Sequence, residues 1–249
     1  MITTTGVSKR HGQLLAVDDV TVDISPGLTA IIGPNGAGKS TLLAAIGRLA
    51  RIEGAITVGG LDIAATRSKE LARRLAILRQ DNSTVIRLSV AELVAFGRFP
   101  HGGGGRSPED ADHVARALDL LGLTDVADRF LDELSGGQRQ RAHVAMALAQ
   151  DTDHLLLDEP LNNLDPRHAV GLMKLLTRLV ADRRLTVVVV LHDLNVAARF
   201  ADSVIAMREG RVVHHGPAAE VLTGPHLSEL YETPARIESV AGQPVVVWE

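Results

Sequence analysis

The chain has 249 residues, with 26 Lys and Arg against 30 Asp and Glu, and a formal charge of −4 when its 10 His are neutral. Apolar residues make up 45% but aromatics only 2%, so a core must come from Leu, Val, Ile and Ala, and the length is ample for one large domain or a main domain with a smaller insert. The mildly acidic balance argues against general nucleic-acid binding, zero Cys excludes disulfides, thiolate zinc sites and Cys nucleophiles, and no stretch nears the roughly 18 apolar residues of a membrane span. The start, Met1 to Gly6, lacks the basic-then-apolar layout of a signal peptide, so the expectation is a soluble, non-secreted chain whose membrane role, if any, is peripheral.

In chain order, the first clear element is the apolar run Leu28-Thr29-Ala30-Ile31-Ile32, ending at Gly33 and followed by a helix-like stretch from Ser40 to Ala50. Arg67, Lys69, Arg73 and Arg74 read as a solvated helix face. From Ser89 to Ala149 the signals are helical: Ser89-Val90-Ala91-Glu92 has capping-box spacing, and Ser107-Pro108-Glu109-Asp110 places a cap, a first-turn Pro and acids in order. Ala111, Val114, Leu118 and Leu121 then recur at helical spacing, and the glycine run from Gly102 to Gly105 reads as a loop joining two helices. The runs from His154 to Leu157 and from Thr186 to Leu191 carry no polar alternation, which suits strands buried on both faces of a parallel sheet. Helical patterns lie between them from Pro166 to Asp182, and beyond them from Asp193 to Ala201. A hairpin is predicted around Arg208 to Arg211 and a second around Gly242-Gln243. The reading is α/β with a mainly parallel core and a helical insert.

Three motifs carry chemistry. Gly33-Pro34-Asn35-Gly36-Ala37-Gly38-Lys39-Ser40 fits the phosphate-binding loop between a strand and a helix. Its backbone N–H groups surround phosphates at the positive end of a helix, Lys39 reaches the β- and γ-phosphates, the Ser40 hydroxyl ligates Mg²⁺, and Thr41 adds a phosphate hydrogen bond. In His154-Leu155-Leu156-Leu157-Asp158-Glu159-Pro160 an apolar strand ends in acids at a sheet edge, where Asp158 serves the Mg²⁺ shell and Glu159 polarises the attacking water. Leu134-Ser135-Gly136-Gly137-Gln138 is both a helix-capping box and a glycine-bearing turn that leaves N–H groups free for an anion.

This last segment, with Arg139-Gln140-Arg141 behind it and its interval to Asp158, resembles the signature of ATP-binding cassette proteins, and the resemblance spans about Gly6 to Leu222. It implies a P-loop NTPase (RecA-like) core with a mainly parallel sheet, an N-terminal antiparallel β region and an inserted α-helical subdomain. The implied division is one nucleotide-binding domain over 1–249, with its core at about 1–80 and 152–225, its helical part at about 81–151 and an extension at 226–249. By the same resemblance Gln80 contacts Mg²⁺ and water, and His192 is the switch that holds the γ-phosphate and catalytic water. Asp165 lies in the loop that crosses to a partner subunit, and Asp193 caps the next helix. His11 stands where the family usually places a Tyr against adenine, a departure that leaves the base contact open.

The implied cofactors are ATP and Mg²⁺. The implied assembly is an ATP-sandwich homodimer in which Ser135, Gly136, Gly137 and Gln138 serve the partner's nucleotide. It would sit on the cytoplasmic side of the membrane against separate permease subunits, with a substrate-binding protein acting outside. Gly97-Arg98-Phe99-Pro100-His101, Leu161 to Asp165 and Leu191 to Asn195 look like the iron-siderophore, haem and cobalamin importer subgroup. The alternatives are another cargo, a non-transport cassette ATPase, or a nucleotide-dependent binding module with little turnover. The presence of both Glu159 and His192 speaks against the last.

Overall fold

The structure is a computed structural model and describes residues 1–80, 87–102 and 107–249. Strands β1 (Ile2–His11) and β2 (Leu14–Ile24) pair antiparallel, and after β3 (Gly27–Ile32) and helix α1 (Lys39–Ile46) the chain returns with β4 (Glu53–Val58) and β5 (Leu61–Asp62). These make a four-stranded antiparallel sheet in the order β2-β1-β4-β5. Helix α2 (Ser68–Ala72) leads to β6 (Leu75–Leu78). A helical run follows: α3 (Val90–Phe96), α4 (Phe99–Gly102), α5 (Pro108–Leu120), two short 3-10 turns, and α6 (Gly136–Ala149). The chain then alternates β7 (His154–Asp158), α7 (Pro166–Arg183), β8 (Thr186–Val190) and α8 (Leu194–Phe200). It ends with β9 (Ser203–Arg208), β10 (Arg211–Pro217), α9 (Ala218–Val221), α10 (Gly224–Tyr231) and the hairpin β11 (Ala235–Val240) and β12 (Gln243–Trp248).

The central sheet has the order β10-β9-β3-β8-β7-β6, parallel throughout except for β10 at one edge. Its strands read as unbroken apolar runs because both faces are covered. Leu155, Leu157, Val187 and Val189 face one apolar cluster with α3, α5, α6 and α7, whereas Leu156, Val188 and Val190 face a second with α1 and the antiparallel sheet. All carboxyl ends of the parallel strands therefore emerge at one edge, where α/β sheets place their ligands.

Several local expectations stand as drawn. Ser89 forms the full capping box on α3, Ser107 caps α5 with Pro108 behind it, Asp193 caps α8, and both hairpins are present. Others need correction. Helix α1 stops at Ile46, well before Ala50, because Arg48 takes a left-handed φ of 56° and turns its guanidinium to the carbonyls of Ile63 and Thr66. The inward face of α5 includes Asp110, whereas Ala111 is exposed. Asp110 Oδ1 accepts from Arg98 Nε at 2.8 Å, and Arg98 also donates to the Ala149 carbonyl, so an internal ion pair ties the link between α3 and α4 to α5 and α6. Arg73 and Arg74 are exposed but engaged: Arg73 donates to the Pro100 and His101 carbonyls, and Arg74 pairs with Asp153. Gly103, Gly104 and Gly105 lie outside the described residues, so the loop expected there is not described.

Candidate functional site: a phosphate loop at the sheet edge

Residues 33 to 38 link β3 to α1, and the N-terminus of α1 points back into the loop. Lys39 is the first helical residue and is buried. Its Nζ donates to the carbonyls of Gly33 at 2.8 Å and Pro34 at 2.9 Å, so the ammonium bonds to its own loop. Burial pulls the Lys39 pKa below the ordinary lysine value, against the opposing pull of Glu159 and Asp158. Pro34 is half-buried, Asn35 and Gly36 are exposed, and Ala37 is buried. Ser40 and Thr41 follow in the first turn of α1, both half-buried.

Asp158 ends β7 and accepts the Ser40 hydroxyl at 2.8 Å. Burial raises its pKa above the usual carboxylate range, although Ser40 and Lys39 both oppose this. Glu159, the next residue, has a left-handed φ of 50°. Three side chains hold its carboxylate. His192 Nε2 lies 2.7 Å from Oε1, while Gln80 Nε2 at 2.8 Å and Asn162 Nδ2 at 2.5 Å donate to Oε2. Burial pushes the Glu159 carboxyl up, yet the bonds from His192 and Asn162 with the nearby His192 and Lys39 outweigh it, and the group stays below its ordinary value. The ends of β3, β6, β7 and β8 thus bring Lys39, Ser40, Gln80, Asp158, Glu159 and His192 to one edge.

Ser135 Oγ accepts the Gln138 N–H at 3.2 Å and Gln138 Oε1 accepts the Ser135 N–H at 3.0 Å, so the segment is a capping box on α6. Gly136 and Gly137 face Asn163, and a Cβ on Gly137 would stand 3.0 Å from the Asn163 carbonyl oxygen. Ser135 and Gly136 are exposed, and among the described residues no hydrogen bond joins this segment to residues 33 to 41. Asp165 caps α7 by accepting the His168 N–H at 2.9 Å. That bond, together with the His168 ring 2.9 Å away, holds its carboxyl below the usual range. His11 is exposed at the end of β1, with no side-chain hydrogen bond among the described residues.

Two contributors are not assigned to the site by the sequence. Asn162 falls only within the Leu161 to Asp165 segment that resembles the importer subgroup, with no role there at Glu159, and Tyr231, whose hydroxyl accepts the Gly33 N–H at 3.1 Å, comes from the far C-terminal region. The Gly97 to His101 segment is structural. Arg98 is internal, and His101 Nε2 lies 2.8 Å from the Gln150 carbonyl oxygen.

A parallel sheet carrying this loop, a carboxylate pair and a separate capped signature defines a nucleoside-triphosphate cassette. Residues 17–162 match the model of the ABC transporter family, and the chain belongs to that family as an ATP-binding subunit. It is 45% identical over 250 residues to "Petrobactin import ATP-binding protein YclP" of Bacillus subtilis (strain 168), covering 100% of this chain and 99% of that one. It is 43% identical to "Ferric enterobactin transport ATP-binding protein FepC" of Escherichia coli (strain K12), covering 95% of this chain and 90% of that one. Among solved structures, the dimeric post-hydrolysis state of the ATP-binding cassette MJ0796 bound to ADP and Pi aligns with a TM-score of 0.79 at 29% identity, over 88% of this chain and 99% of that one. No helix among the described residues is long and apolar enough to cross a membrane.

Proposed function

We propose that the chain is the ATP-hydrolysing subunit of an importer for iron(III)-siderophores or a related metal chelate. It works as a pair of copies on the cytoplasmic side of the membrane, against separate permease subunits served by an outer binding protein. The single observation that carries the enzymatic part is the pairing of Glu159 with His192 and Gln80 beside Lys39, Ser40 and Asp158. The cargo class rests on the two relatives, whose names specify petrobactin import and ferric enterobactin transport. The division into a core (1–80 and 152–225), a helical part (81–151) and an extension (226–249) is proposed with it.

Backbone N–H groups of Gly36, Ala37, Gly38, Lys39, Ser40 and Thr41 cradle the phosphates, and Lys39 exchanges the Gly33 and Pro34 carbonyls for phosphate oxygens. The donor set beside them suits Mg²⁺, which is bound through one or two carboxylates, hydroxyl or amide oxygens and the substrate's own phosphates: Asp158, Ser40 and Gln80 supply these, and the described residues hold no cluster of three His, Asp or Glu able to grip a metal alone. Held by Asp158, Ser40 and Gln80, Mg²⁺ would supply positive charge against that developing on the phosphoryl oxygens. Glu159, kept ionised by its donors, accepts a hydrogen bond from the attacking water at an Oε atom and orients it, while His192 holds the other side of that carboxylate and the γ-phosphate. Ser135, Gly136, Gly137 and Gln138 act on the nucleotide held by the twin copy, and Asp165 lies on the loop between the two copies. His11 is the proposed adenine neighbour.

The test is basal turnover of the purified chain against Glu159→Gln. The variant is expected to bind Mg-ATP, pair more stably and hydrolyse ~10²-fold or more slowly, as loss of a group positioning water entails. Equal rates would remove Glu159 from its role, and unaltered ATP affinity in Lys39→Ala would contradict the phosphate cradle.

A further inference from the structure

The outer side of the phosphate loop is not bare. Gly210, in the turn between β9 and β10, donates its N–H to the Ala37 carbonyl at 3.1 Å. Tyr231, the last residue of α10, accepts the Gly33 N–H on its hydroxyl at 3.1 Å. A cavity of about 280 Å³ lies between the loop and the end of α10, lined by Pro34, Asn35, Gly36, Arg208, Tyr231 and Glu232 among others.

Tyr231 is itself held on three sides. Leu227 and Leu230 bury α10 against the core. Arg208 at the end of β9 donates to the Glu229 carbonyl at 2.8 Å and pairs with Glu232 at 3.2 Å, which pins the helix terminus. Trp248 from β12 packs edge-on against the Tyr231 ring, with centroids 5.4 Å apart and planes at 76°. The same strand is tied elsewhere: the Val246 N–H donates to Asn195 Oδ1 at 2.7 Å, and Asn195 stands on α8, which begins two residues after His192. Strand β12 therefore touches both α8, the helix behind His192, and the Tyr231 ring, whose hydroxyl meets the peptide that opens the phosphate loop.

We propose that Tyr231 is a positioning residue for nucleotide binding: its hydroxyl, locked by Trp248 and Arg208, accepts the Gly33 N–H and sets the direction in which the chain enters the phosphate loop. The physical reason is the accounting of polar groups. Gly33 stands where the β3 ladder ends, so its N–H needs a partner, and its carbonyl is the group that Lys39 leaves when a phosphate arrives. With Tyr231 in place, the peptide before Gly33 keeps its orientation through that exchange. Without it, the N–H is orphaned and the loop relaxes toward other partners. Burial holds the phenol pKa up at about 12, so the hydroxyl is a neutral acceptor throughout the working pH range.

This inference rests on the phosphate-loop reading above, and the experiment separates the two. Tyr231→Phe keeps the ring and its packing on Trp248 and deletes only the acceptor. Mg-ATP turnover and equilibrium binding of a fluorescent ATP analogue are measured on the full chain for wild type, Tyr231→Phe, Trp248→Ala and Lys39→Ala, with thermal midpoints alongside. Losing one hydrogen bond's ordinary worth corresponds to roughly a three- to tenfold change, so Tyr231→Phe is expected to raise both Kd and KM by that factor while kcat at saturating ATP stays within about twofold. Trp248→Ala should shift Kd the same way by less. A fall in thermal midpoint with unchanged Kd and KM would make Tyr231 merely structural and overturn the proposal, as would a loss confined to kcat. If Lys39→Ala also bound nucleotide normally, the fault would lie in the site reading. If only Lys39→Ala lost binding, the role of Tyr231 alone would fall.

Discussion

Two glycines in one loop should respond very differently to the same methyl group. Gly36 and Gly38 both have left-handed backbones, with φ of 79° and 96°. An L residue at either position therefore bears the left-handed cost of about 1–2 kcal/mol. Their surroundings differ. A Cβ on Gly36 meets nothing within 4 Å, whereas one on Gly38 would stand 2.2 Å from the Ala16 carbonyl oxygen of β2 and 3.4 Å from the Gly210 Cα. Both neighbours are backbone, so relief requires β2 or α1 to move by about 1 Å, an overpacking penalty of about 1–3 kcal/mol. The totals are about 1–2 kcal/mol for Gly36→Ala and about 2–5 kcal/mol for Gly38→Ala. At about 2–4 °C per kcal/mol for a chain of this size, the midpoints should fall by about 2–8 °C and about 4–20 °C respectively. Thermal denaturation followed by circular dichroism, without nucleotide, reads this directly. Equal losses at the two positions, or a larger loss at Gly36, would refute the claim that β2 packing rather than loop strain decides which glycine is irreplaceable.

Ser135→Arg should abolish hydrolysis while leaving nucleotide affinity within about twofold, because Ser135 has no bond to its own phosphate loop; a fluorescent-nucleotide titration beside a turnover assay checks this, and wild-type turnover would sink the twin-copy site. Asp110→Asn should lower the thermal midpoint clearly, since it leaves the Arg98 guanidinium internal without its counter-charge. Arg98→Met combined with Asp110→Leu should recover part of that loss, and a midpoint as low as that of Asp110→Asn would argue against the ion pair as its cause. Stability should also fall as pH drops below about 6.5. Burial depresses the folded-state pKa of His143 and His154, so the unfolded chain takes up protons first, and stability is lost from the ordinary histidine value down to the depressed ones. Urea midpoints at pH 7.5 and 5.5 measure the slope, and His143→Gln should flatten it; an unchanged slope would remove His143 from the cause.

The legible parts of this protein are those in which local chemistry and chain spacing coincide. The strands β3, β7 and β8 are readable because a sheet covered on both faces needs unbroken apolar runs. The loop of residues 33 to 40 is readable because glycines, a Lys and a hydroxyl must be consecutive to wrap a phosphate. Ser89, Ser107, Ser135 and Asp193 are readable as helix starts because a cap bonds to an N–H two or three residues away. Asp110 is not legible as an inward residue, since its partner Arg98 compensates a buried charge only after the link between α3 and α4 packs on α5. The early stop of α1 likewise depends on the Ile63 and Thr66 carbonyls, which reach Arg48 from another part of the chain.

From the sequence alone came the class of fold, the phosphate loop, the acids at the end of β7 and the signature, because each is specified by residues adjacent in the chain. Only the tertiary structure decided which side chains share the Glu159 carboxylate, and that a C-terminal tyrosine rests on Gly33. Those contacts join residues as far apart as Gly33 and Tyr231. No local spacing encodes such a pair; it exists only because the folded sheet brings its strand ends, and the segments that cover them, to one edge.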